Sequence, residues 1–158
     1  MSRDSAIGTN IRETVERLFR DFDARGGLKD VFLVACGGSL YELSGLQHLL
    51  RCESRVLRAT SVTANEFAFA APARANGSAL VIALSLSGGT PEVVAAAKKA
   101  RELGASVLAI VGKPSCALAE SADESIVFAN EASGAEMDYE QSNIAVSLRI
   151  GFELLRLA

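Results

Sequence analysis

The stretch from Ala83 to Glu92, ALSLSGGTPE, gathers Ser85, Ser87 and Thr90 around Gly88 and Gly89, where an apolar run gives way to an alanine-rich helical pattern. A plain strand-to-helix turn needs a glycine or two and one capping side chain. Three hydroxyls exceed that. The first amides of a helix lack internal partners, and the helix dipole gives them partial positive charge. Glycines let the backbone come close to a ligand, and hydroxyls add donors without adding charge. An anion with several acceptor oxygens, such as phosphate, suits that array. On this loop alone, ordinary capping and turn chemistry remains the alternative.

A second loop has related composition. In ACGGSLYE, Gly37, Gly38 and Ser39 follow an apolar run, with Ser39 at the expected N-cap of the next helix. Here turn chemistry explains the residues almost as well. Two such loops at matching places of one sheet point to a shared polar ligand. Neither loop carries G-x-G-x-x-G followed by an acidic residue, nor Gly-Lys-Ser/Thr, so a dinucleotide or Walker-type site is not indicated.

The elements that must position these loops follow from the hydrophobic pattern. Ile11–Ala24 has helical spacing and is stopped by Gly26-Gly27; a helix is expected over Leu40–Arg51, a short one opening at Asn65-Glu66-Phe67, another over Pro91–Leu103, and a short one over Ala117–Ser121. The last helix is expected from about Tyr139 to Leu157, apolar on more than one face. Strands are expected at DVFLVA (Asp30–Ala35), RVLRAT, ALVIAL (Ala79–Leu84), SVLAIV (Ser106–Val111) and SIVFA. Pro91 suits a first helical position, where a missing N–H costs nothing. Alternating strands and helices imply βαβ units, a parallel sheet and a three-layer α/β/α sandwich. With 158 residues the chain is read as one domain: residues 1–29 a helix and connection, 30–158 an α/β core with a C-terminal helix.

The charge balance narrows the partners. Sixteen basic against 19 acidic residues leave a formal net charge of −3, so neither nucleic acid nor an anionic membrane is an expected partner. Cys36, Cys52 and Cys116 are scattered without CxxC spacing, which predicts neither a disulfide framework nor a zinc site. Met1–Asn10 is polar and no apolar run is long enough to span a bilayer; no signal peptide is expected and a cytoplasmic protein is. No metal and no cofactor is expected.

At the two loops the chain resembles the SIS (sugar isomerase) family of phosphosugar-binding domains. Ser85-Leu86-Ser87-Gly88-Gly89-Thr90-Pro91-Glu92 is similar to the family's S-x-S-G-x-T-x-E loop, ACGGSLYE to its first G-x-S loop, and TANEF (Thr63–Phe67) to its [S/A]-x-E-F segment. The lettering is most like the first half of double-SIS enzymes, among them the isomerase part of glucosamine-fructose-6-phosphate aminotransferase and fructoselysine-6-phosphate deglycase. The resemblance implies a five-stranded parallel sheet of flavodoxin-like or Rossmann-like topology, in a dimer or larger homo-oligomer. It implies that Ser39, Ser85, Ser87 and Thr90 contact a sugar phosphate while Gly37, Gly38, Gly88 and Gly89 shape the loops. The function implied is part of a sugar-phosphate isomerase, deaminase or deglycase acting on a hexose 6-phosphate or amino-sugar 6-phosphate. A non-catalytic sugar-phosphate sensor is the alternative.

Two departures bear on catalysis. The 158 residues hold one SIS half and no His-Gly motif, so a second SIS domain or a neighbouring subunit is the expected source of further groups. Where the family often has [S/Q]-T-K, this chain has Gln141-Ser142-Asn143. Isomerisation moves a proton between C1 and C2 and needs a base near them. Glu66 is the first candidate base. Glu42, Glu136 and Glu140 are better read as dipole complement or solvated carboxylates, His48 as a helix-face or subunit-contact residue, Cys36 as a small buried residue, and Lys113 as a loop cation at the same sheet edge.

Overall fold

A computed structural model describes residues 6–128 and 141–158. The continuous apolar runs of the sequence are the central strands: β1 (Asp30–Ala35), β3 (Ala79–Ser85) and β4 (Ser106–Val111) are buried at every position, as strands covered on both faces must be. β2 (Arg58–Thr63) and β5 (Glu124–Val127) are half-buried and form the two edges. The sheet order is β2-β1-β3-β4-β5, and every pair is parallel. That is the flavodoxin-like order, whose crossovers reverse between β1 and β3. The expected α/β fold with a five-stranded parallel sheet is present.

Successive side chains of each strand serve opposite cores. Val31, Leu33, Leu80, Ile82, Leu108 and Ile110 meet α1 (Ala6–Asp23), α3 (Ser44–Glu53) and α7 (Asn143–Leu157) through Val15, Phe22, Leu46, Leu50, Ile150 and Leu154. Phe32, Val34, Val81, Ala83, Val107 and Ala109 meet α4 (Ala64–Ala70), α5 (Pro91–Glu102) and α6 (Ala117–Ser121) through Phe67, Val93, Ala96, Ala97, Ala100 and Leu118. α5 turns alanines to the sheet, which lets its backbone lie close and fixes where its first turn sits relative to β3.

Several boundaries differ from the sequence reading. The helix expected over Leu40–Arg51 is two, α2 (Gly38–Glu42) and α3, joined at Leu43. Leu43 is fully buried and its N–H donates to the Leu40 carbonyl, a tightened turn that redirects the chain. β2 begins at Arg58, three residues later than RVLRAT suggests, because Ser54 Oγ accepts from the Val56 and Leu57 amides and holds that segment in a turn. α7 begins at Asn143 behind Ser142, whose hydroxyl accepts from the Ala145 amide; Tyr139 and Glu140 lie outside the described residues. Its apolar faces are unequal: Val146, Ile150 and Leu154 are buried, Ile144 and Phe152 exposed.

α7 meets α3 through a glycine. A Cβ on Gly151 would lie 2.6 Å from Leu46 Cδ1 and 2.9 Å from Leu49 Cδ2. Gly151→Ala gains helix propensity, yet we expect a net loss of about 1 kcal/mol in urea unfolding, because the buried Leu46 and the half-buried Leu49 must leave their rotamers. A stabilised variant would show that α3 yields freely.

Candidate functional site

The carboxyl ends of β1, β2 and β3 lie side by side, and their following loops meet at the switch point between β1 and β3. The loop after β3 is held by its own side chains. Ser85, 3% exposed, accepts the Gly88 N–H at 3.1 Å, and its hydroxyl lies 3.0 Å from that of Thr90. Ser87 is exposed and accepts the Gly89 N–H at 3.2 Å. Thr90 is the N-cap residue of α5 and Pro91 its first helical residue, yet no side chain caps the helix. Pro91 has no N–H and the Val93 and Val94 amides both donate to the Thr90 carbonyl at 3.1 Å, so the first turn offers a ligand chiefly the Glu92 amide and the positive end of the helix dipole.

Gly88 is the residue around which the loop is built. Its φ is +67°, a conformation that disfavours any side chain. A Cβ there would lie 2.3 Å from Cys116 Sγ and 2.6 Å from Cys116 Cβ. Its carbonyl accepts the Leu118 N–H at 2.9 Å, which fastens the loop to the start of α6. Nothing in the spacing of Cys116 in the sequence signals that it backs Gly88.

In the first loop, Gly37 has φ +54° and is the N-cap of α2; Ser39 is the second residue inside that helix, half-buried, rather than the cap expected for it. The positive φ at Gly37 turns the chain early, so the helix begins before the serine. Gly38 is exposed, and a Cβ on either glycine would meet no atom within 4 Å. Openness, not crowding, distinguishes this loop from the one at Gly88.

The loops converge on Cys36. Its half-buried thiol is raised above the ordinary cysteine range, first by burial and then by the negative charge of Glu92, while the Ala64 amide pulls the other way. One residue therefore senses the loop after β1, the N-terminus of α4 and the first turn of α5. Low reactivity follows, in keeping with a packed side chain.

Glu66 is exposed in the first turn of α4, where Thr63 Oγ1 accepts its amide at 3.3 Å. Glu42 has a more specific place: Asn143 Nδ2 donates to its Oε2 at 2.7 Å, tying α2 to the first turn of α7. This bond sets Asn143, where the resemblance would place a lysine, against the last residue of α2. Lys113 is exposed in the loop after β4 that ends at Cys116, and Glu136 lies outside the described residues. His48 is on the outer face of α3, beside Cys52. Among the described residues no group of three or more His, Cys, Asp or Glu is arranged to hold a metal, and no helix is long and apolar enough to cross a membrane.

The family model of the SIS domain matches residues 29–134. The chain belongs to the SIS domain family. It is 40% identical over 118 residues to the fructosamine deglycase FrlB of Bacillus subtilis strain 168, an alignment covering 75% of this chain and 36% of FrlB. A candidate phosphosugar isomerase from Salmonella typhimurium LT2 superposes with a TM-score of 0.83 at 33% identity, covering 92% of this chain and 43% of its own. The Vibrio vulnificus NanR protein complexed with ManNAc-6P shares the fold, with a TM-score of 0.63 at 19% identity over 92% of this chain and 51% of NanR. The chain thus spans less than half the length of the first two relatives. It is an SIS domain related to a candidate phosphosugar isomerase and to a deglycase.

Proposed function

We propose that the chain seats the phosphate of a hexose 6-phosphate or amino-sugar 6-phosphate in the β3–α5 loop, as part of a sugar-phosphate isomerase, deaminase or deglycase. The observation that carries this reading is the loop itself: Ser87, Gly88, Gly89 and Thr90 stand at the uncapped N-terminus of a twelve-residue helix. A phosphate dianion there meets the positive end of the α5 dipole, and its oxygens can take over the amide that Ser87 now holds. Ser85 supports the bend and aligns Thr90. Gly37, Gly38 and Ser39 border the same crevice from the β1 side, and the sugar carbons extend toward them.

Glu66, exposed at the edge beside β1, is the base we assign to the C1–C2 end of the sugar; Glu42 is held by Asn143 and serves instead to fix α2. Further groups come from a second SIS domain or from another copy in a homodimer. The Bacillus subtilis relative supports deglycation as the reaction class, and NanR, which shares the fold, is complexed with ManNAc-6P.

Calorimetric titration with fructose 6-phosphate, glucosamine 6-phosphate and inorganic phosphate tests the site. Sugar phosphates should bind more tightly than phosphate, and Ser87→Ala should lose about 1.5–3 kcal/mol, roughly ten- to a hundredfold in affinity. Equal affinity for all three ligands would reduce the site to an anion hole. Binding that is indifferent to Ser87→Ala would place the phosphate elsewhere.

A further inference from the structure

The two loops that border the crevice are held in different ways. The β3–α5 loop braces itself, Ser85 accepting the Gly88 amide and Ser87 the Gly89 amide. The first loop has no such brace. No side chain caps α2, none of its residues is buried, and a Cβ on Gly37 or Gly38 would meet nothing within 4 Å. Its firm point is Leu43, fully buried just behind the helix, while Leu40 within it is only partly buried. A short helix with so few buried contacts depends on support from elsewhere in the fold.

That support comes from Asn143, the first residue of α7, whose Nδ2 donates to Glu42 Oε2 at 2.7 Å. The donor is itself fixed. Asn143 Oδ1 accepts the Ile144 amide at 2.8 Å, so the NH2 end of the side chain must face Glu42. α7 is seated in the core through Val146, Ile150 and Leu154, and Ser142 caps it. A short bond from a fixed donor to a charged acceptor is among the stronger single contacts a side chain makes. Glu42 follows Ser39 by three residues, and residues three apart share a helix face. Whatever holds Glu42 therefore sets the rotation of Ser39. The Ser39 hydroxyl is half-buried and has no hydrogen-bond partner among the described residues, which leaves it to a ligand.

We propose that Asn143 is the positioning residue of the first loop: acting through Glu42, it turns the Ser39 hydroxyl toward the sugar and so sets the preference for a sugar phosphate over bare phosphate. The inference rests on the phosphosugar reading of the crevice and adds a division of labour to it. The β3–α5 loop holds the phosphate, which every such ligand shares. The first loop reads what extends beyond it.

The test compares glucosamine 6-phosphate with inorganic phosphate by calorimetry on the full chain, using a pair of substitutions that can be reversed. Asn143→Asp removes the donor and sets two carboxylates against each other. Affinity for the sugar phosphate should fall about tenfold or more, while affinity for phosphate stays within about twofold. Glu42→Gln keeps an acceptor for Asn143 and should cost less. Combining Glu42→Gln with Asn143→Asp rebuilds the contact in the opposite sense, the new amide donating to the new carboxylate, and should restore the parent's preference. Urea unfolding should leave all three variants near the parent midpoint, since an aspartate at the first position of α7 suits the helix dipole. A preference that Asn143→Asp leaves intact, or that the double variant does not restore, would overturn the positioning role. Phosphate affinity falling in step with that for the sugar phosphate would overturn it too, as general loosening of the crevice. The underlying reading fails differently: if binding of both ligands by the parent ignores Ser87→Ala, the phosphate is not seated in the β3–α5 loop and the inference falls with it.

Discussion

Gly88→Ala should remove phosphosugar binding more completely than loss of any single hydroxyl. The substitution meets two independent obstacles. At φ +67° an alanine is strained, at a cost of about 1–3 kcal/mol. Its Cβ also falls within 2.3 Å of Cys116 Sγ, and the Leu118 N–H bond to the Gly88 carbonyl prevents the loop from simply lifting away. Overpacking of that kind adds about 1–3 kcal/mol. The loop should escape by giving up its bend, taking the Gly89 amide and Thr90 off the phosphate position, with affinity falling more than about a hundredfold. Neither obstacle to folding exists at Gly89, where a Cβ meets no protein atom within 4 Å and the φ is not positive, so Gly89→Ala should leave the urea midpoint near that of the parent. Adding Cys116→Gly to Gly88→Ala should restore the part due to crowding and leave the part due to backbone strain, which a double-mutant cycle separates. Calorimetry and urea unfolding read the two losses. A Gly88→Ala protein that binds like the parent would show that the loop's shape is not what holds the ligand.

The contrast between that loop and its supports shows what sequence can carry. The three central strands were legible because burial on both faces demands unbroken apolar runs, and a run bounded by glycine or polar residues has little choice of ends. The chemistry of the β3–α5 loop was legible for a similar reason: three hydroxyls and two glycines in six residues exceed what a turn requires. The division of labour among them was not. Ser85 and Ser87 are equivalent as letters, yet one is buried and holds the bend while the other is exposed. Neither the Gly88–Cys116 contact nor the bond from Asn143 to Glu42 has a local signature, since each joins segments that only the sheet brings together. The start of β2 was misplaced because Ser54 captures amides that an extended pattern would assign to the ladder.

The amino-terminal ends of the strands, opposite the candidate site, hold a cluster of the same non-local kind, and its removal should be costly in an uneven way. Asp30 opens β1 and is 1% exposed. Arg58, its partner in the β1–β2 register, donates Nε to Oδ1 at 2.9 Å and Nη2 to Oδ2 at 2.6 Å; Arg74 Nη1 reaches Oδ1 at 2.6 Å. The carboxylate holds the Arg58 guanidinium above the ordinary arginine range, chiefly through these hydrogen bonds. Both arginines are about half exposed, so the desolvated member is the aspartate. Asp30→Asn weakens three charged bonds but frees the guanidinium groups into water, and should cost about 1.5–3 kcal/mol in urea unfolding. Arg58→Ala combined with Arg74→Ala strands the charge where water cannot reach it, and should lower the unfolding midpoint further than Asp30→Asn does. The decisive variant carries all three changes. With the charge gone, the double-alanine background should regain stability on acquiring Asp30→Asn, an outcome that loss of arginine packing alone could not give. If the triple variant is instead the least stable, the arginines act by covering Phe32 and the strand ends rather than by neutralising a buried charge.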